Sequence, residues 1–112
     1  MAKLHDLIQK LDTALREDAT YFSGLQAIYQ VQFHDDDAVY QIIIDGKDGK
    51  VVDGVNKEAD CTLTFVKEDF EKALQGQLNG TEAFMSGRLV IKGDKGLALK
   101  LQTYMSNYVA VT

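Results

Sequence analysis

The side chains in this 112-residue sequence that could carry out chemistry are turn aspartates, one cysteine and two histidines. Five aspartates fall in or directly beside two predicted turns, Asp35, Asp36, Asp37, Asp45 and Asp48. They offer the oxygen ligands that calcium takes, but Lys47 stands two positions after Asp45, where a calcium loop needs another oxygen ligand. His5 and His34 lie in separate predicted elements, without cysteine or paired acids at ligand spacing. We therefore expect no metal site and no cofactor.

Cys61 is the only thiol, and the residues around it alternate in polarity as in a β-strand. Leu63 and Phe65 share its predicted face, where cysteine acts as a small hydrophobe rather than a nucleophile. No nucleophile-elbow sequence surrounds the serines, and nothing marks a pair of acid–base carboxylates. We expect that the protein is not an enzyme. A lone cysteine rules out an internal disulfide framework and favours a reducing, cytoplasmic setting.

The turn Gly93–Gly96 could bind an anion, because it leads into the N-terminus of a predicted helix. It lacks the glycine frame and the Lys-Ser/Thr ending of a phosphate loop. We expect a strand-to-helix turn capped by Asp94. Binding of an acyl carboxylate or a coenzyme A phosphate is the alternative.

Hydrophobic periodicity predicts the elements that must position these residues. Apolar residues at helical spacing indicate an amphipathic helix over residues 3–17, whose apolar stripe we expect to lie on a sheet. Alternation predicts five strands, over residues 28–34, 39–45, 50–55, 61–66 and 88–92. Short turns at Asp35–Asp37 and Gly46–Gly49 would join the first three strands into an antiparallel meander.

Helical spacing returns in the second half of the chain. One helix is predicted from Lys67 to Gly76, and a short one, capped by Thr81, is predicted around residues 83–85. A last helix is predicted from about Asp94 onward. Together the elements predict a single α+β domain over residues 1–112, a five-stranded mixed sheet with helices covering mainly one face.

The overall charge and hydropathy exclude several classes of function. The net charge is −5 without a basic stripe, which argues against nucleic-acid binding. The apolar runs are only a few residues long, so no membrane span is expected. Residues 1–10 lack the apolar core of a signal peptide, and residues 109–112 do not form a Ser-Lys-Leu peroxisomal signal.

Apolar residues on the glycine-punctuated C-terminal elements are candidates for lining a ligand cavity. There are eight of them, Leu74, Leu78, Phe84, Met85, Leu97, Leu101, Tyr104 and Met105. Methionine adapts to ligands of varied shape, and the connection from Val66 to Arg88 turns more often than covering a sheet requires. Such a set is nevertheless more often plain core, and the residues alone leave core and cavity open.

A specific pattern of residues runs through the same segment, Ala83, Phe84, Gly87, Leu89, Ile91, Gly93, Gly96, Leu97, Ala98, Lys100 and Leu101, followed by Gln102. It resembles the sterol-carrier-protein type-2 family, also called non-specific lipid-transfer proteins. Residues 57–64, Lys-Glu-Ala-Asp-Cys-Thr-Leu-Thr, are similar to the family's Lys-Lys-Ala-Asp-Cys-Thr-x-Thr strand. One departure is Gly80, which stands where the family usually has proline after asparagine.

The resemblance implies a hydrophobic tunnel between the sheet and its helices, bordered at the mouth by the last helix. Fatty acid, fatty acyl-CoA, phospholipid or sterol would bind there and be transferred without chemical change, with an acyl chain the favoured ligand. Lys95 and Gln102 are expected at the ligand's polar end. Oligomeric state and transient membrane contact are left open. The alternatives are a packed interaction or dimerisation domain and an accessory domain of an enzyme system.

Overall fold

Five strands and four α-helices follow one another in the computed structural model, which describes residues 4–108. The helices are α1 (Leu4–Glu17), α2 (Lys67–Leu74), α3 (Gly80–Met85) and α4 (Lys95–Tyr108), with a 3₁₀ turn at Thr20–Phe22. The strands are β1 (Leu25–Phe33), β2 (Asp36–Gly46), β3 (Asp48–Asp53), β4 (Cys61–Phe65) and β5 (Val90–Gly93). Residues 1–3 and 109–112, including the C-terminal tail considered above, lie outside the described residues.

The strands form one mixed sheet in the order β3-β2-β1-β4-β5. Strands β1, β2 and β3 make the antiparallel meander that the alternation predicts. Strand β4 then returns beside β1 in parallel, with Tyr29 opposite Cys61, and β5 pairs antiparallel with β4. The predicted α+β class and five-stranded mixed sheet are confirmed.

Several predicted boundaries are wrong. The first turn is only His34–Asp35, because Asp36 already pairs with Phe33 at an irregularity in the register. Strand β5 begins at Val90 rather than Arg88. Helix α3 is capped by Asn79 rather than Thr81, since the Asn79 side chain accepts a hydrogen bond from the Glu82 N–H at 3.0 Å.

Helix α1 lies on the sheet through its apolar stripe, as predicted. Four of the stripe residues are buried, Leu7, Ile8, Leu11 and Leu15, and the first, Leu4, is half-buried. Gly49 of β3 allows the close approach, because a Cβ there would stand 3.2 Å from the Leu15 side chain. Asp12 joins helix and strand, its Oδ1 accepting a hydrogen bond from the Val51 N–H at 2.8 Å.

Two aromatic clusters fill the layer between helices and sheet. Phe33, Phe65 and Phe70 meet with ring centroids 5.4–6.1 Å apart, which holds α2 on β1 and β4. The ring centroids of Phe22 and Tyr104 lie 4.9 Å apart, and this contact holds α4 against the 3₁₀ turn. The core therefore lies on one face of the sheet.

A buried glutamine covers part of the other face. Gln41 is 0% exposed, and its amide nitrogen donates to the Gln30 side chain and to the Lys57 carbonyl. Its oxygen accepts from the N–H groups of Asn56 and Lys57. The Gln41 amide thus uses its full bonding capacity to hold the loop that leads to β4.

Backbone atoms of two distant segments come into close contact at Gly93. A Cβ on Gly93 would stand 2.4 Å from the Asp60 carbonyl oxygen, and Gly93 has φ +92°. The Asp60 carbonyl also accepts from the Asp94 N–H at 3.1 Å. Only glycine suits both this conformation and this spacing.

We expect Gly93→Ala to lower the free energy of unfolding by about 3 kcal/mol. Roughly 1–2 kcal/mol comes from left-handed backbone strain, and about 1–2 kcal/mol more comes from displacing Asp60. Urea denaturation measures the loss. Gly87→Ala is the matched control, because Gly87 has φ +82° but open space around its Cα. Equal losses in the two variants would mean that the contact with Asp60 contributes nothing.

Candidate functional site

An apolar cavity lies between α2, α4 and the sheet. Nine residues line it, Val31, Leu63, Phe65, Ala73, Leu78, Leu89, Leu101, Gln102 and Met105. Alternation on β1 and β4 turns the three strand residues toward the helices, and i, i+4 spacing on α4 turns Leu101 and Met105 toward the strands. Eight of the nine side chains are apolar, so the cavity suits a hydrocarbon.

The cavity is closed in this structure. It encloses about 10 Å³, which is room for one water molecule at most. Pockets that hold small molecules usually enclose roughly 300–1,000 Å³. An acyl chain could therefore enter only if the lining residues move apart.

The structure brings some of the predicted site residues together and leaves others apart. Leu78, Leu101, Gln102 and Met105 line the cavity. Leu74 and Tyr104 are buried nearby in the core, and Leu97 is half-buried against it. These three do not border the cavity itself, and whether they line a ligand in an opened form stays a prediction.

Helix α3 turns two of the predicted lining residues outward. Its inward positions are the small residues Gly80 and Ala83, both buried. Phe84 is 40% exposed and Met85 is 80% exposed. In this closed form both residues lie on the surface, and their proposed lining role stays a prediction.

The predicted polar end is split between two sites. Lys95 is exposed, and its Nζ lies 5.5 Å from the centre of the Phe84 ring, a cation–π contact. Gln102 contributes the one polar side chain of the cavity lining. The Asp94 carboxylate accepts from the Leu97 N–H at 3.1 Å, as its predicted cap role requires. A carboxylate at this helix start disfavours an anionic head group there.

Sequence reasoning missed five lining residues, Val31, Leu63, Phe65, Ala73 and Leu89. Alternation marked the first three as one face of their strands, which identifies a buried face but does not show which part borders a cavity. Leu89 falls within the predicted strand over residues 88–92, whereas it is a buried residue just before β5. The sequence does not show that β4 pairs with β1, and that pairing brings the three strand residues of the lining together.

A larger groove runs between the start of α1 and α2. It encloses about 830 Å³. Only Leu4 and Leu7 are apolar among its ten lining residues, and the others are mainly charged side chains of α2 and the β1–β2 turn. This groove is therefore unsuited to hydrocarbon.

Among the helices within residues 4–108, none combines the length and the apolar character that a membrane span requires.

The Cys61 thiol is buried beneath the helices. Burial raises its pKa to about 11, and the Asp94 and Asp60 carboxylates add to the shift. The thiol is protonated at neutral pH, which agrees with its predicted role as a small hydrophobe. Burial also raises the pKa of Tyr104 to about 12 and raises the pKa of Tyr29 further.

Comparison with known proteins finds a matching family and similar sequences. Residues 6–106 match the SCP-2 sterol transfer family. Hydroxysteroid dehydrogenase-like protein 2 of Rattus norvegicus is 39% identical over 84 residues, which cover 73% of this chain and 16% of the relative. Sterol carrier protein 2 of Homo sapiens is 44% identical over 62 residues, covering 54% of this chain and 11% of the relative. The chain thus spans less than a fifth of either relative's length.

The fold also matches a solved structure. The sterol carrier protein domain 2 of Helicoverpa armigera superposes with a TM-score of 0.71 and 26% identity, covering 96% of this chain and 91% of that one. The shared fold agrees with the predicted arrangement of one sheet and its helices.

Because the Cys61 thiol is buried, the free energy of unfolding varies with pH in the alkaline range. Folding raises the pKa of Cys61 from 9.0 to about 11, so above pH 9 the unfolded chain loses a proton that the folded protein keeps. We expect the thiol alone to lower the free energy of unfolding by about 1 kcal/mol between pH 9 and 10. Chemical denaturation at each pH measures it.

Cys61→Ala should remove the thiol's contribution, which extends from about pH 9 to pH 11. The remaining fall should persist and steepen above pH 10, because the raised pKa values of Tyr29, Tyr40 and Tyr104 cause it. An unchanged slope between pH 9 and 10 in the variant would show that the thiol is not its source.

Proposed function

Because the chain belongs to the SCP-2 sterol transfer family, we propose that it binds a lipid between α2, α4 and the sheet and transfers it without chemical change. The observation that carries this proposal is the composition of the cavity lining, eight apolar residues and one neutral amide. Such a lining can hold a hydrocarbon chain and offers no group suited to catalysis. The favoured ligand is an acyl chain.

Burial of the acyl chain supplies the binding energy. Each methylene removed from water contributes about 0.8 kcal/mol, so a long acyl chain gains on the order of 10 kcal/mol. The costs of association and of opening the cavity are subtracted from that gain. We therefore expect the cavity volume to set a preference for acyl-chain length, and we expect no strict preference for the head group.

Helix α3 is the element that opens most easily. It buries only Gly80 and Ala83, both of which contribute little apolar area. Gly76 before it and Gly87 after it have φ values of +73° and +82°, at the ends of helices α2 and α3. Elements with little buried apolar surface move at low cost in free energy. Displacement of α3 from α4 would enlarge the cavity beside Gln102.

The exposed side of α3 supports a transient membrane contact during lipid exchange. Phe84 and Met85 are exposed, and the Lys95 ammonium lies beside the Phe84 ring. An apolar tip with an adjacent cation suits the boundary between acyl chains and phosphate head groups. The proposed transfer route runs from that boundary past α3 into the cavity.

A second candidate function has its own supporting observation. The cavity of about 10 Å³ favours an interaction domain whose interior is filled by side chains. The similarity to part of hydroxysteroid dehydrogenase-like protein 2 supports a further variant, an accessory domain of an enzyme system.

The proposed setting is reducing and cytoplasmic, as the single thiol suggests.

Native mass spectrometry of the purified protein followed by lipid extraction tests the proposed function. Co-purifying lipid, or stoichiometric displacement of a fluorescent fatty acid by an unlabelled one, would support the carrier function. A protein that is empty and takes up no acyl probe would support the filled interaction domain instead.

We expect Leu78→Glu to weaken binding of a fluorescent fatty acid at least tenfold, because a carboxylate in the cavity wall would have to be desolvated by the acyl chain. Leu78 is half-buried, so the substitution should leave the fold intact. Leu99→Glu is the matched control, since Leu99 is 66% exposed on α4 and does not line the cavity. Equal affinities in both variants would place the ligand elsewhere.

We expect Met85→Glu to slow transfer of the same probe from phosphatidylcholine–phosphatidylglycerol vesicles several-fold, because a carboxylate at the exposed tip is repelled by the anionic surface. Affinity for the probe in vesicle-free solution distinguishes the two roles of Met85, because it should fall only if Met85 also lines the bound ligand. Val55→Glu is the control, as Val55 is 63% exposed on the loop behind the sheet. Equal slowing by both variants would contradict docking through α3.

A further inference from the structure

Gln102 on α4 rests directly on the backbone of Gly80, the first residue of α3. A Cβ built on Gly80 would fall 1.7 Å from Gln102 Nε2 and 2.1 Å from Oε1, so the amide occupies the space that any side chain at position 80 would fill. Gly80 itself is buried beneath it. We call the boundary between α3 and α4 the seam. The contact lies across this seam, and Gln102 is also the one polar residue of the cavity lining.

Packing alone holds the Gln102 amide in place. Within residues 4–108 its side chain makes no hydrogen bond, although its backbone carbonyl accepts one from the Ser106 hydroxyl. The amide is half-buried rather than enclosed, so water can reach it when it turns away. Its release therefore breaks no hydrogen bond within the protein.

We propose that Gln102 seated on Gly80 is a latch that closes the lipid cavity and controls the rate of ligand entry. The proposal rests on the proposed function. In the seated position the amide fills the seam beside Leu78, and α3 can close against α4 because Gly80 has no side chain. When the amide leaves Gly80, the seam opens and an acyl chain can pass between the two helices.

The residue at position 80 therefore sets the resting state of the cavity. Any side chain there displaces the amide, so substitution should shift the population toward the open form. Gly80 does not require a left-handed conformation, and its N–H makes no backbone hydrogen bond within residues 4–108. Proline is tolerated at the first position of a helix, and Asn79 before it has the extended backbone that a following proline requires. Both Ala and Pro should thus fold.

Stopped-flow uptake of a fluorescent C16 fatty acid in vesicle-free solution tests the latch. Gly80→Ala, Gly80→Pro and Gln102→Ala should each raise the association rate by about tenfold. Gly80→Ala combined with Gln102→Ala should be no faster than the faster single variant, because both changes remove the same contact. Gly96→Ala is the control, since Gly96 lies in the first turn of α4 and its added Cβ would meet only Asp94.

The outcomes separate the latch from the function on which it rests. Uptake by the wild-type protein at the same rate as by all the variants would overturn the latch and leave lipid binding intact. Additive effects of Gly80→Ala and Gln102→Ala would also overturn it, because Gly80 would then act by another route. Failure of every variant and of the wild type to take up the probe would overturn the proposed function and the latch together.

Discussion

The close contact between Asp60 and Gly93 is the constraint on which the arrangement of the site depends. Asp60 leads into β4 and is joined to β1 twice, because its carboxylate accepts from the Ile28 N–H and its own N–H donates to the Ile28 carbonyl, both at 2.8 Å. Its carbonyl accepts from Asp94, at the start of α4. One short segment therefore fixes the parallel pairing of β4 with β1 and the point from which α4 crosses the sheet.

The position of α4 determines what the apolar layer can do. Leu101 and Met105 face β1 and β4 across a small cavity, while Tyr104 is held by the aromatic cluster with Phe22. The sheet, α2 and α4 supply seven of the nine lining residues, and Leu78 and Leu89, which flank α3, supply the other two. Helix α3 itself buries only Gly80 and Ala83. On the proposed route, the firmly packed sheet and α4 preserve the site, while the weakly held α3 lets a hydrocarbon enter.

Sequence reasoning succeeded where a pattern extended over several turns or strands. Four turns of α1 show its stripe clearly, and the spacing on α4 correctly turned Leu101 and Met105 inward. It was less successful on α3, whose six residues are too few to define an apolar face. Phe84 and Met85 are apolar, yet the inward positions are Gly80 and Ala83. At Gly80 the Gln102 side chain lies too close for any larger residue.

The sequence by itself determined the elements, the α+β class, the absence of a catalytic pattern and the resemblance to a lipid-transfer family, because each depends on residue types at local or contiguous spacing. Only the tertiary structure decided that Val31, Leu63 and Leu101 share one cavity, that this cavity is closed, and that Gln102 lies on Gly80. Those facts depend on contacts between segments far apart in the chain. Periodicity shows which side of an element is buried, whereas the packing of neighbouring elements decides how much space remains between them.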